Sequence, residues 1–431
     1  MFENCGSCFA AKQFVDIKSR SKSVTVQLMN GKTELLQCER KVRRIISMRR
    51  TPKENINQSF INLIRKAHGL IENSDIEKHR HSQDQMGALF GNSREVAVTE
   101  TTVGSMYAEW IRVDRPHSGK KIILYCHGGG YSTGSPLYAR TLTTKLASQL
   151  SMDVFCFDYR LAPEYPYPAA VDDAQTAWDY LMLQGYGAKD IFVAGDSAGG
   201  NLALALGLRL KKQKRMLPAG FVLMSPWTDL TVSGKTHETK ADVDPVLNQN
   251  YLNEMIENYV PQAKKVQMEA VKPLQEAGTL QEGNTIQAAS TLREANALQE
   301  GNTIRAAGTL QEGNTLQTAN TLQTAGTEKQ KPGDKSANKV FEEIFDTEYL
   351  RNPEISPLFG DFTGFPPTYI QVGDLEVLMS DSTMLQKKMS GEGVAVSLDT
   401  YKNMWHVFQM GPFKTAVEAI HKCGEFIYSV Q

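Results

Sequence analysis

The segment Gly195-Asp196-Ser197-Ala198-Gly199 constrains this chain more than any other. It follows the apolar run Ile191-Phe192-Val193-Ala194 and precedes Asn201-Leu202-Ala203-Leu204-Ala205-Leu206. β-Branched and aromatic residues thus give way to small ones and then to Ala and Leu, an order that predicts a strand, a sharp turn and a helix. In a turn that tight only glycine lets strand and helix approach closely, which is what Gly195 and Gly199 supply. Ser197 then stands exposed at the apex, at the positive end of the helix, with the N–H of Ala198 free to meet an anionic oxygen. A flexible Gly/Ser linker could contain the same residues, but not with a strand on one side and a helix on the other.

The rest of the chain alternates in the same way. Strand patterns fall at 95–101, 106–113, 121–126, 153–157, 191–194, 220–226, 367–372 and 394–400, with helical patterns at 136–150, 169–183, 380–389 and 414–429 between and after them. The run at 121–126 is nearly continuous in apolar residues, as in a strand covered on both faces. Alternation of this kind predicts an α/β chain with a mostly parallel sheet flanked by helices. Two stretches depart from it. Residues 1–44 offer only a possible hairpin, with Val24-Thr25-Val26-Gln27-Leu28 alternating before Asn30-Gly31. Residues 273–326 are nine consecutive hexads with Leu or Ile always second. That period fits neither a helix nor a long strand and buries little surface, so the tract reads as a disordered insertion, with a short β-solenoid as the alternative.

The resulting division is an N-terminal extension (1–44), N-terminal cap helices (45–93, where Ile56, Phe60, Leu63 and Ile64 recur at helical spacing), a first core part (94–230), a cap segment (231–262), the hexad insertion with its linker (263–340), and a second core part (341–431). A formal charge of -1 and a pI near 6.7 give no attraction for nucleic acid or anionic membrane. The six cysteines are scattered, and Cys5-Gly6-Ser7-Cys8 has no second pair or histidine cluster beside it, so neither a disulfide framework nor a metal site is expected. No apolar leader and no stretch of about 18 apolar residues occurs, and the expected compartment is the cytoplasm. Homo-oligomerisation is left open.

A serine hydroxyl is a poor nucleophile near neutral pH and needs a base, itself oriented by an acid. Of the eight histidines only His237, His406 and His421 follow Ser197. His421 belongs to an ordinary terminal helix, and His237 precedes every acid at a strand end. His406 follows the last strand, and two acids, Asp374 and Glu376, end the strand before it. Upstream, His127-Gly128-Gly129-Gly130 closes a buried strand, where backbone must come close to something and point N–H groups at it.

Taken together, His127-Gly128-Gly129-Gly130, Asp158-Tyr159-Arg160-Leu161-Ala162-Pro163-Glu164, Gly195-Asp196-Ser197-Ala198-Gly199-Gly200 and Trp405-His406-Val407-Phe408 resemble the hormone-sensitive-lipase-like (type IV) branch of the α/β-hydrolase esterases. The resemblance covers roughly 94–262 and 350–431 and implies an eight-stranded, mostly parallel sheet under a helical cap. It further implies a serine carboxylesterase acting on short to medium acyl esters, without metal or cofactor. His406 would deprotonate Ser197, Gly128, Gly129 and Ala198 would hold the oxyanion, and the stretch from Asp158 to Glu164 would brace the site. In that branch the acid is an Asp or Glu followed by Pro or Val and then Leu, which Glu376-Val377-Leu378 matches and Asp374 does not. Glu376 is therefore the expected acid and Asp374 its alternative. A ligand-binding receptor on the same fold is the competing class, and the presence of His406 argues against it.

Overall fold

The computed structural model describes residues 61–62, 64–66, 75–91, 93, 95–115, 120–265 and 336–430. The hairpin expected near Val24, the Cys5 and Cys8 pair, and the hexads of 273–326 lie outside the described residues.

In chain order the elements are α1 (Ile76–Phe90), β1 (Val96–Val103), β2 (Met106–Val113), β3 (Ile122–Cys126), α2 (Pro136–Leu150), β4 (Asp153–Phe157), α3 (Ala169–Leu183), β5 (Ile191–Asp196), α4 (Ala198–Lys212) and β6 (Gly220–Met224). There follow α5 (Thr236–Thr239), α6 (Gln249–Tyr259), α7 (Ser336–Ile344), α8 (Thr347–Leu350), β7 (Thr368–Gly373), α9 (Met379–Gly391), β8 (Val396–Tyr401) and α10 (Lys414–Ser429). The eight strands form one sheet in the order β1-β2-β4-β3-β5-β6-β7-β8. The two pairs involving β2 are antiparallel and the others parallel. Every residue of β3, β5, β6 and β7 is buried, the polar Asp196, Thr368 and Gln371 among them, whereas β1 at the edge is half-buried or exposed except at Val103.

Register aligns the carboxyl ends of the central strands: Cys126 lies opposite Gly195, Asp196 opposite Met224, and Gly373 opposite Tyr401. In open parallel sheets that edge is where ligands bind. One face of the sheet is closed by α2 and α10, whose Leu142, Leu146, Ile420 and Ile427 pack with Ile123 and Tyr125. Each such side chain contributes about 1.5–3 kcal/mol by leaving water. The start of α2 is fixed by Ser135, whose hydroxyl accepts the N–H of Tyr138, followed by Pro136 in the first helical turn.

The chain forms two compact units, Met1–Lys264 with Phe345–Gln431, and Lys265–Ile344. Within the first, Lys264 and Phe345 make an antiparallel bridge and the Asp346 N–H donates to the Ala263 carbonyl at 2.7 Å. Within the second, the Lys265 N–H donates to the carbonyl of Ile344, at the end of α7, at 2.8 Å.

Candidate active site

Ser197 sits between β5 and α4 at φ 53°, ψ -121°. A positive φ is uncommon outside glycine and is held at a cost of about 1–3 kcal/mol, so the surroundings must enforce it. They do so by close approach: a Cβ on Gly195 would meet the Gly199 carbonyl oxygen at 2.3 Å, and one on Gly199 would meet the Cys126 oxygen at 2.1 Å. From Ile191 to Leu208 every residue is buried except Ser197. Its hydroxyl does not cap α4.

The chain between β6 and the next turn anchors the other parts. The Ser197 N–H donates to the Met224 carbonyl at 2.9 Å, and the Ser197 carbonyl accepts the Trp227 N–H at 3.0 Å. Ser225, between them, accepts the Val407 N–H on its hydroxyl at 3.2 Å. The Ser197 turn and the loop carrying His406 are therefore tied to one short segment.

His406 Nδ1 lies 3.0 Å from Glu376 Oε2, and both side chains are buried. The other oxygen, Oε1, accepts from Ser225 Oγ at 2.8 Å and from the Gly373 N–H at 2.5 Å. With Nδ1 committed to the carboxylate, Nε2 is the ring nitrogen left for proton transfer. Burial opposes a charged imidazole, yet the carboxylates of Glu376, Asp244 and Asp196 raise the His406 pKa above its ordinary value of 6.5. Asp374, the alternative acid, is turned elsewhere: its Oδ1 accepts the Asn403 N–H at 2.6 Å. His237 pairs with Asp381 at 3.1 Å, and His421 lies on α10.

The glycine loop requires one correction. Gly128 was expected to offer its N–H to an oxyanion, but that N–H donates to Asp196 Oδ1 at 3.0 Å, beside the Tyr125 hydroxyl at 2.6 Å on the same oxygen. One amide hydrogen cannot serve both acceptors. Among the described residues the N–H groups of Gly129, Gly130 and Ala198 have no acceptor, and Gly129 holds φ +119°, open only to glycine. Burial pushes the Asp196 carboxyl up to about 6, against the pull of Tyr125, His406 and the Gly128 N–H. Asp196 thus holds the glycine loop through the Gly128 N–H.

The segment from Asp158 to Glu164 braces this loop. The Tyr159 ring stacks on His127 at 4.0 Å and its hydroxyl donates to the His127 carbonyl at 2.9 Å, while the Ala162 N–H donates to the Tyr131 carbonyl. Burial lowers the His127 pKa to about 4, so this imidazole is neutral and donates from Nδ1 to the Gly128 carbonyl. Arg80 of α1 reaches the same segment through Glu164 and the Ala162 carbonyl.

Sequence reasoning missed Ser225, Gly130 and Lys145. Lys145 donates to three successive carbonyls, Gln409, Met410 and Gly411, at 2.7–2.9 Å, and pins the turn after His406 onto α2. Ser225 carried one signal, its place at the end of a buried strand, the same position that marks Ser197 and Glu376. Nothing in the sequence marked Lys145. Among the described residues no three or more His, Cys, Asp or Glu gather as a metal would need, and no helix is long and apolar enough to cross a membrane.

The alpha/beta hydrolase fold family matches this chain over residues 123–289 and 282–410, and the chain belongs to that family. Within it, the chain is a hormone-sensitive-lipase-like carboxylic ester hydrolase. It is 30% identical over 349 residues to an esterase of Acinetobacter venetianus, covering 80% of this chain and 87% of the relative. It is 29% identical over 336 residues to an acetyl-hydrolase of Streptomyces hygroscopicus, covering 78% and 83%. Among solved structures, a hormone-sensitive lipase from a metagenome library superposes with TM-score 0.62 at 30% identity, over 86% of this chain and 97% of that one.

Proposed function

We propose that the protein hydrolyses short to medium acyl esters through an acyl-enzyme on Ser197. His406 takes the hydroxyl proton, Glu376 orients the imidazole and stabilises its charge, and the N–H groups of Gly129, Gly130 and Ala198 receive the oxyanion. The imidazolium gives that proton to the alcohol oxygen as the tetrahedral intermediate collapses and the alcohol leaves; water then attacks the acyl-enzyme, yielding a proton to His406, which returns it to Ser197 Oγ as the carboxylic acid departs. The observation that carries this reading is the buried 3.0 Å contact of His406 with Glu376, tied through Met224–Trp227 to a strained, solvent-reaching Ser197. The names of the relatives support a small acyl group: one is an acetyl-hydrolase, and another, 40% identical over 121 residues, is an ethyl acetate hydrolase of Pseudomonas putida.

Residues 45–93 and 231–262 are read as the cap over this site, 1–44 as an extension and 263–340 as an insertion. The buried free thiols of Cys126, Cys156 and Cys423 support a reducing, cytoplasmic compartment.

The test is a series of p-nitrophenyl esters of increasing acyl length with Ser197→Ala, Glu376→Gln and Asp374→Asn. Ser197→Ala should abolish turnover and Glu376→Gln should reduce kcat by about 10⁴-fold. Asp374→Asn should stay near wild type. A purified wild type without burst or turnover would favour a receptor, and collapse in Asp374→Asn alone would reverse the choice of acid.

A further inference from the structure

Asp244 is a buried carboxylate to which the chemistry above gives no part. It lies in the loop between α5 and α6 and is only 6% exposed. Its Oδ1 accepts the N–H groups of Val246 and Leu247 at 2.8 and 3.1 Å, closing the turn that leads into α6. An Asn or Ser could close such a turn equally well. The second oxygen does something the turn does not need: Oδ2 accepts the N–H of Val377, the residue after Glu376, at 2.9 Å. On the other side of the loop the Arg65 guanidinium donates to the carbonyls of Asp242 and Val243.

We propose that Asp244 is a positioning residue that locks the loop ahead of α6 onto the Glu376 turn and thereby holds the acid against His406. The inference rests on the reading of Glu376 and His406 as acid and base. The turn from Gly373 to Leu378 is gripped from inside by Glu376 Oε1 on the Gly373 N–H and from outside by Asp244 on the Val377 N–H. Val377 is buried, so without Asp244 its N–H has no water to turn to and the turn shifts to find an acceptor. The charge matters as well. The groups facing His406 are Glu376 on the turn after β7, Asp244 on this loop and Asp196 on the nucleophile turn, all of which favour the imidazolium. Burial holds the Asp244 carboxyl up at about 6, with His406 pulling it down, so Asp244 is charged where a neutral His406 works.

The experiment uses the full chain, with active-site titration by a fluorophosphonate to count competent Ser197, and kcat, KM and the pH profile of kcat/KM on p-nitrophenyl butyrate. In Asp244→Asn the protein should titrate, kcat should fall by about 10²-fold with KM little changed, and the acid limb should move to lower pH because one carboxylate has left His406. In the double variant Asp244→Asn with Val377→Pro the orphaned N–H is gone, since proline has none, and the acid–Pro–Leu pattern accommodates it. Here kcat should recover while the limb stays displaced. Wild-type kcat and limb in Asp244→Asn would overturn the proposal, as would a loss that the proline does not relieve. Failure of both variants to titrate would also overturn it, by making Asp244 a folding residue. A wild type that does not titrate sinks the Ser197 reading instead, so the two failures are distinct.

Discussion

The hydroxyl of Ser225 donates to Glu376 Oε1 across 2.8 Å, on the carboxylate oxygen that His406 leaves free. The same hydroxyl accepts the N–H of Val407, so one buried side chain at the end of β6 joins Glu376 to the loop of His406. Ser225 does this at φ 48°, in the left-handed region. Its backbone is placed so that the hydroxyl faces the neighbouring strand end, and the strain is held by the Ser225 N–H on the Gln371 carbonyl at 2.7 Å.

Replacing Ser225 separates hydroxyl from backbone. Ser225→Gly relieves the positive φ and Ser225→Ala keeps it, but both lose the donor to Glu376. A hydrogen bond to a charged group is worth about 1.5–3 kcal/mol, so both variants should lose about 10- to 100-fold in kcat with KM little changed. If Ser225→Gly retains full kcat on a chromogenic ester, the hydroxyl has no part in positioning the acid.

The pH dependence follows from His406. In the proposed mechanism it must be neutral to accept the Ser197 proton, and its pKa is raised, so the acid limb of kcat/KM should lie above pH 6.5. Stability has the opposite sign. A histidine whose folded pKa exceeds the unfolded value contributes stability that is complete below pH 6.5 and is lost as pH rises through the folded value. Urea titrations from pH 6 to 9 should therefore show stability falling through the window in which activity rises. His406→Gln should flatten that slope, and an unchanged slope in the variant would assign it to another group.

The sheet was legible in the sequence because its strands are buried runs with a two-sided apolar pattern, and runs such as 121–126 have no other use. Ser197, Glu376 and His406 could be singled out in the sequence because each lies at or shortly after a strand end, and the structure brings Glu376 within 3.0 Å of His406. Gly128 departs from the expectation for a physical reason: three adjacent glycines look alike in sequence, and only the approach of Asp196 decides which N–H is already committed. Lys145 and Asp244 were invisible because each acts on backbone groups far away in the chain, where no pattern of side chains records the partner.

Glu109 and Arg140 test a different part of the fold. Glu109 on β2 is fully buried, held by the Arg140 guanidinium of α2 at 2.7 and 2.9 Å and by the Tyr107 hydroxyl at 2.8 Å. Arg140→Met keeps much of the apolar stem but leaves a buried carboxylate unpaired, which should destabilise the protein by about 3–5 kcal/mol. Arg140→Met together with Glu109→Gln should recover part of that loss. If the single variant melts like wild type, water reaches Glu109 and the pair is not a buried one.

The hexads offer the last prediction. The two stretches of the larger unit are pinned together where they meet, by the bridge between Lys264 and Phe345 and the bond from the Asp346 N–H to the Ala263 carbonyl. A connection whose ends are fixed in this way enters stability only through its closure entropy, about 0.6 kcal/mol per doubling of length. Removing residues 273–326 should therefore change stability by no more than about 1 kcal/mol and leave kcat on p-nitrophenyl butyrate unchanged. On the insertion reading, early proteolytic cleavage should fall within the same residues. A deletion that unfolds the protein, or a tract that resists protease while the core is cut, would show instead that the hexads pack as a solenoid and support the fold.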